Sequence, residues 1–261
     1  MPGDVFSCQA IVLDQRDYGE ADLIVSLFDP ERGKLQTIAK SARKSKRRFV
    51  NKLEIFTLLN VILRPSRTGL LVLEEAELLN SFCHLRQSVA PYAAATLIRE
   101  FLLAIAHEGD ADPEMFLLAL WAVESLDRGL PCRVVAAQFL IRYYDRIGYR
   151  PELEHCRECG VAGAASRHWR FSAGKGGVLC PLCAAPGGDL RNGQLVGLPL
   201  QPGTAKFLSS CRLAPLARLG RLKIAGPPLE EALNILQRYG DVVLGREIVS
   251  WRLFWRLTGN P

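Results

Sequence analysis

The chain has 261 residues, long enough for more than one domain, and is 49% hydrophobic and 23% charged, as expected of a globular protein rather than a disordered or fibrous one. Its net charge of +6 is local, because the segment from Arg32 to Lys52 holds nine basic residues and no acidic one, which leaves the rest net acidic. No apolar run reaches the roughly 18 residues of a membrane span, and the start, Met1-Pro-Gly-Asp-Val5, lacks the basic and apolar regions of a signal peptide, so a cytoplasmic protein is expected.

Five short stretches read as strands: Phe6 to Leu13, Leu23 to Phe28, Lys34 to Ala39, Leu53 to Leu63 and Leu70 to Glu75. Turn residues punctuate them, at Pro30-Glu-Arg-Gly33 and Pro65-Ser-Arg-Thr-Gly69. Closing five strands into a barrel removes their exposed edges. An OB-fold is the economical solution, and strand count alone also fits an SH3-like barrel. Between the third and fourth strands lies Lys40-Ser-Ala-Arg-Lys-Ser-Lys-Arg-Arg48, with no large apolar residue. Such a loop is self-repelling and suited to a polyanion, where each cation neutralises a phosphate and releases a counterion. Lys34, Lys40, Arg43, Lys44, Lys46, Arg47 and Arg48 are therefore the expected nucleic-acid contacts, weighed against a merely solvated charge run.

Helical spacing takes over from about residue 85. Pro91 opens a stripe of Leu97, Ile98, Phe101, Leu102 and Ile105. Asp112-Pro113 is an N-cap and first-turn pair for a helix that stops near Gly129. A third helix starts at Pro131, carries Val135, Phe139, Tyr143 and Ile147 on one face and ends at Gly148. Helices resume near Thr204, and one last helix is expected from Pro228 to Arg256.

The interruption holds Cys156, Cys159, Cys180 and Cys183, two Cys-x-x-Cys pairs twenty residues apart. Two such hairpins present four thiolates at the spacing of a tetrahedral zinc site. A four-sulfur set leaves no position for water, so one structural zinc and no chemistry at the metal is expected. Redox pairs or disulfides are the alternative. Between the pairs Trp169 and Phe171 are the only aromatic residues, so the insert is expected to lack an apolar core and to take its order from the metal. Cys8, Cys83, Cys132 and Cys211 lie in apolar surroundings and are expected as buried free thiols.

Several stretches together resemble the RecO family of bacterial recombination mediators. Arg16-Asp-Tyr-Gly-Glu-Ala-Asp-Leu-Ile-Val-Ser-Leu-Phe28 with Glu31-Arg-Gly-Lys34 is similar to its first barrel strands. Ile38-Ala-Lys-Ser-Ala-Arg-Lys44 is similar to its basic loop, and Leu70 to Glu77 to its closing strand. Phe139 to Gly148, Tyr149-Arg-Pro-Glu-Leu153 and Cys156-Arg-Glu-Cys-Gly160 resemble the approach to its zinc finger, and Leu244-Gly-Arg-Glu-Ile-Val-Ser250 its final helix region. Ser41 departs from the pattern, standing where the family often has glycine, and so do Trp251, Phe254 and Trp255 in the tail.

The resemblance implies an α+β protein: an OB-fold over 1–80, a helical domain over 81–150 and 190–261, and a zinc-finger insert over 151–189. It also implies a nucleoid-associated protein that binds single- and double-stranded DNA and anneals complementary strands. Such a protein works with RecR, and often RecF, to let RecA load on DNA coated by single-strand-binding protein, whose C-terminal tail the helical domain engages. An enzyme is not expected. His84, His107, His155 and His168 are scattered, Gly174-Lys-Gly-Gly177 lacks a full phosphate-loop pattern, and Glu20 and Asp22 read as strand-edge charges. His155, beside Cys156, reads as a surface residue rather than a ligand. An RNA-binding zinc-ribbon protein of translation or RNA metabolism shares the same elements and stands as the alternative.

Overall fold

The computed structural model describes residues 4–66, 69–163, 168–185 and 196–259. Five strands, β1 (Phe6–Tyr18), β2 (Asp22–Asp29), β3 (Gly33–Ala39), β4 (Leu58–Arg64) and β5 (Leu71–Asn80), close into a barrel in the order β1-β2-β3-β5-β4. All pairings are antiparallel except β3 with β5, which runs parallel through Thr37 opposite Leu71 and Ile38 opposite Val72. This is the OB-fold arrangement, and it decides against an SH3-like barrel. Period-two alternation explains the closure: in β3 Gly33, Leu35, Thr37 and Ala39 are buried while Lys34, Gln36 and Ile38 are half-buried on the other face.

Three strand expectations are corrected. β5 runs on past Glu75 to Asn80. β1 continues past Leu13 through the polar stretch Asp14 to Tyr18, which still pairs with β2 across an irregularity between Val12 and Asp14. Leu53 to Thr57 is not strand at all, since Phe56 sits at φ +72° and the chain folds back onto β1, with the Phe56 amide on Val12 O at 2.7 Å and the Val12 amide on Thr57 O at 2.9 Å. Arg86 fixes this turn, donating to Ile55 O at 2.6 Å and to Thr57 Oγ1 at 2.9 Å. The expected turn at 65–69 lies partly outside the described residues.

The chain forms two compact units, Met1–Ala95 with Arg99–Arg128, and Thr96–Ile98 with Gly129–Pro261. The change from strands to helices near residue 80 is therefore not the edge of the first unit. Beside the barrel it contains α1 (Cys83–Gln87), most of α2 (Val89–Ile105) and α3 (Pro113–Asp127). Phe116 of α3 meets Phe28 at 6.0 Å between ring centres, Arg99 donates to Leu13 O at 3.1 Å, and the Lys34 amide donates to His107 O at 3.1 Å. The Asp112-Pro113 start forms as expected, the Asp112 carboxylate accepting the Met115 amide at 2.9 Å.

In the second unit, α4 (Cys132–Arg146), α6 (Pro202–Leu213) and α8 (Pro227–Leu244) pack on one another, joined by the short α5 (Pro181–Ala184) and α7 (Leu216–Leu219). Their shared core holds Phe139, Tyr143, Leu208, Leu233 and Leu236, and the buried Tyr144 hydroxyl donates to Leu236 O at 2.8 Å. The single last helix expected from Pro228 is two: α8 ends where Gly245 turns left-handed at φ +62°, and α9 (Ser250–Thr258) follows. Two of the three tail aromatics are core residues and Trp255 is half-buried. Trp251 and Phe254 are buried edge to face at 5.3 Å, and Trp255 donates to Gln237 Oε1 at 2.8 Å. Burying a side chain of this kind contributes about 1.5–3 kcal/mol.

Three strands, β6 (Arg170–Ser172), β7 (Gly177–Leu179) and β8 (Leu198–Pro199), make a small sheet in the order β7-β6-β8. The expectation that this insert lacks an apolar core is wrong. Trp169, Phe171, Val178 and Leu179 are buried, and Phe171 meets Tyr239 of α8 edge to face at 5.6 Å. The expected far boundary of the insert, at 189/190, lies outside the described residues. The lone cysteines also differ from expectation: Cys211 is buried, Cys8 and Cys132 are half-buried, and Cys83 is exposed. Among the described residues, no helix is long and apolar enough to cross a membrane.

Candidate metal centre and nucleic-acid interface

Both cysteine pairs are carried by tight local turns. In the first, the Cys156 amide donates to Val161 O at 2.9 Å and the Gly160 amide to Cys156 O at 2.9 Å, with Gly160 at φ +73° where a β-carbon is strained. In the second, Cys180 leads α5, whose first residue is Pro181, and the Ala184 amide donates to Cys180 O at 2.9 Å. The Glu152 amide joins Gly176 O at 3.0 Å and the Val178 amide joins Glu152 O at 2.9 Å, which docks the approach segment on β7 and brings the pairs together.

The four sulfurs lie within 4.8 Å of one another, and Cys159 Sγ stands 3.7 Å from Cys180 Sγ. A tetrahedron of sulfurs about 2.3 Å from a zinc ion has edges of about 3.8 Å, so the donor set fits such an ion. All eight cysteines are free, and 3.7 Å is far beyond the roughly 2.05 Å of a disulfide. His155 stands outside the cluster, its ring nitrogen 3.7 Å from Glu152 Oε1.

The electrostatics are those of a cation site. Burial raises the Cys156 thiol, but the amides of Cys159, Cys180 and Glu158 pull it further down, to about 6. The Cys180 amide lies 3.3 Å from Cys156 Sγ. Hydrogen bonding with the sulfurs of Cys159 and Cys180 pushes Cys183 up to about 12. Four thiolates at this spacing repel one another, and a divalent cation makes them compatible.

The basic segment is less free than its composition suggests. Ala42, Phe49 and Leu53 turn inward and join the barrel core, pinning the loop at both ends while its charged residues stay exposed. Ser41 takes the left-handed conformation, φ +55°, that glycine adopts easily, so the turn survives the substitution. Arg43 is engaged with Asp17 at 3.3 Å, and Arg48 lies 4.5 Å over the Phe49 ring while donating to Lys40 O at 2.8 Å.

Lys40, Arg43, Lys44, Lys46, Arg47 and Arg48 thus share one loop, whereas Lys34 stands apart. It projects from the outer face of β3 into a shallow cavity of about 360 Å³ with Arg16, Ser26 and Gln36. Arg16 and Gln36, which share this cavity, were not among the expected contacts: the outward place of Arg16 shows only once β1 is seen to continue past Leu13, while that of Gln36 follows from the alternation of β3.

Residues 1–82 match the family model for the N terminus of recombination protein O, and residues 86–252 match the model for its C terminus. The chain belongs to the RecO family. It is 35% identical to the DNA repair protein RecO of Syntrophobacter fumaroxidans over 82% of this chain and 83% of that one. The protein of the same name from Desulfitobacterium hafniense strain DCB-2 is 30% identical over 98% of this chain and 93% of its own length. That of Anaeromyxobacter sp. strain K is 33% identical over 93% of this chain and 92% of its own. The family is one of DNA repair.

Proposed function

We propose that this chain is a recombination mediator that binds single- and double-stranded DNA, anneals complementary strands and helps RecA load where single-strand-binding protein coats the DNA. The observation that carries the reading is the exposed basic loop anchored on a closed OB barrel by Ala42, Phe49 and Leu53. Two complementary strands repel through their phosphates, and a protein that screens this charge while leaving bases free lowers the barrier without bond-making chemistry. Lys40, Lys44, Lys46 and Arg47 supply the screening, with Arg43 and Arg48 holding the loop's shape as well as adding charge. Lys34, on the barrel wall, extends the basic track.

In this reading Cys156, Cys159, Cys180 and Cys183 hold one zinc ion. The ion fixes the fold of the insert and takes no part in a reaction, because four sulfurs complete its coordination. RecR is the expected partner, with RecF in some settings. The acidic, apolar C-terminal tail of single-strand-binding protein is held by the helical domain, and the protein acts at the nucleoid.

The test is annealing of complementary strands, each coated with its cognate single-strand-binding protein, without nucleotide. Annealing that requires the coating protein's tail and falls when loop charges are removed supports the proposal. Annealing that needs ATP, or that ignores the loop, overturns it.

A further inference from the structure

Beside the finger, in the second compact unit, a cavity of about 260 Å³ opens between α8 and the glycine-rich turn preceding β7. Three cations line it: Arg150, Arg157 and Lys175. Their placement is built from backbone. The Arg157 Nε donates to Lys175 O at 3.3 Å and the Arg157 amide to Val178 O at 2.8 Å, which ties the guanidinium to the turn. Gly176, at φ +70°, makes the turn, which packs on α8 with the Tyr239 hydroxyl 3.5 Å from the position a β-carbon would take. Tyr239 in turn donates to Tyr149 O at 3.0 Å, holding the segment that carries Tyr149 and Arg150.

The opposing acids are few. Lys175 pairs with Glu158 at 2.5 Å and Arg150 reaches Asp145 only at 4.0 Å, while no ion pair of Arg157 occurs among the described residues. Tyr149, 53% exposed, stands on the rim as an uncovered ring beside these cations. A large aromatic left in water next to clustered guanidinium groups is the chemistry of single-stranded nucleic acid, cations for phosphate and a ring on which a base stacks. The cations lie inside the cleft and the Tyr149 ring at its rim, which sets a phosphate within and the adjacent base outside, on Tyr149.

We infer that this cleft is a second binding point for single-stranded DNA, with Arg150, Arg157 and Lys175 around one backbone phosphate and Tyr149 stacking the adjacent base. The inference rests on the DNA-binding reading of the barrel loop but places a separate binding point on the finger. Glu158 competes with the phosphate for Lys175, so the lysine exchanges one anion for another on binding.

The test is fluorescence anisotropy of the full chain with an oligothymidylate and with the same oligonucleotide carrying scattered abasic sites, across a salt series. Arg157→Gln with Lys175→Gln should lower the magnitude of the log–log salt slope by roughly 0.7 for each phosphate no longer neutralised. Tyr149→Leu should weaken oligothymidylate binding by roughly ten-fold and leave abasic binding nearly unchanged. Zinc content and thermal unfolding of each variant, compared with the parent, separate a direct effect on DNA from a disturbed finger. If the loop variants lose binding while all three cleft substitutions leave slope and base dependence untouched, the cleft does not touch DNA and the barrel reading stands. If the unmodified chain binds no oligonucleotide, both readings fall together.

Discussion

The Asp22 carboxylate accepts the Ser41 amide at 2.7 Å and so holds a non-glycine residue in the left-handed region at the head of the basic loop. A left-handed residue with a β-carbon costs about 1–2 kcal/mol, and the charge-assisted bond offsets it. Asp22→Ala should therefore lower stability by about 1 kcal/mol, while Ser41→Gly should be neutral or slightly stabilising. Chemical denaturation of the two variants checks this. Destabilisation by Ser41→Gly with none from Asp22→Ala would mean that the serine side chain, rather than the backbone bond, holds the turn.

The finger meets the helical unit with similar economy. A β-carbon on Gly177 would lie 2.7 Å from Glu152 O and 2.8 Å from Glu152 Cβ, and the first of these is backbone that cannot rotate away. Gly177→Ala should thus push Glu152 off β7 and cost about 1–3 kcal/mol. Because Glu152 precedes the first cysteine pair, metal should also be lost to a chelator faster than from the parent. Unchanged retention would show that the cysteine turns dock without this strand pairing.

How much of this was legible in the sequence depended on how local each cause is. The cysteine pairs were plain because their geometry is set within a few residues of each sulfur. Strand β3 announced itself by hydrophobic alternation and β2 by a nearly unbroken apolar run. The polar end of β1 did not, because Asp14 to Tyr18 is held by pairing with β2 and not by burial. Leu53 to Thr57 misled for the opposite reason. Its apolar residues are buried as a turn whose shape is imposed by Arg86 and Val12, distant in sequence. The finger's core was underestimated because Val178 and Leu179 pack with Trp169 and Phe171, and Tyr239, far along the chain from Phe171, closes it. Phe49 was a missed signal for the basic loop: one large apolar residue closing a charged run is an anchor.

Metal uptake should depend steeply on pH. The sulfurs of Cys159 and Cys180 hold the Cys183 thiol up at about 12, and Cys159 is raised too: the Val161 amide lowers it, but its sulfur neighbours Cys156 and Cys180 outweigh that. Both must release protons to bind a metal, whereas Cys156, near 6, is already a thiolate at neutral pH. Raised ligand pKa values mean that protons compete at low pH, so zinc affinity should rise with pH between about 6.5 and 8.5. More than one proton is displaced, so the slope of log Kd against pH should exceed one in magnitude. Competition with a chromophoric chelator at three pH values measures it. A flat profile would mean that the thiols are not the ligands.

The basic loop makes a prediction that separates charge from shape. Lys44, Lys46 and Arg47 are exposed or nearly so, and no ion pair ties them down among the described residues, whereas Arg48 also donates to Lys40 O and covers the Phe49 ring. Replacing Lys44, Lys46 and Arg47 by glutamine should leave the unfolding temperature unchanged, since charges of this kind contribute little to stability. The same variant should weaken binding to single-stranded DNA and reduce the log–log salt slope by roughly 0.7 for each phosphate no longer neutralised. Arg48→Gln should instead lower both affinity and stability, because the loop's end is freed from the barrel. Titration of each variant with an oligonucleotide at four salt concentrations, beside its melting curve, distinguishes the two behaviours. A loop variant with full affinity and an unchanged slope would move DNA binding off the loop, to the barrel wall around Arg16, Lys34 and Gln36.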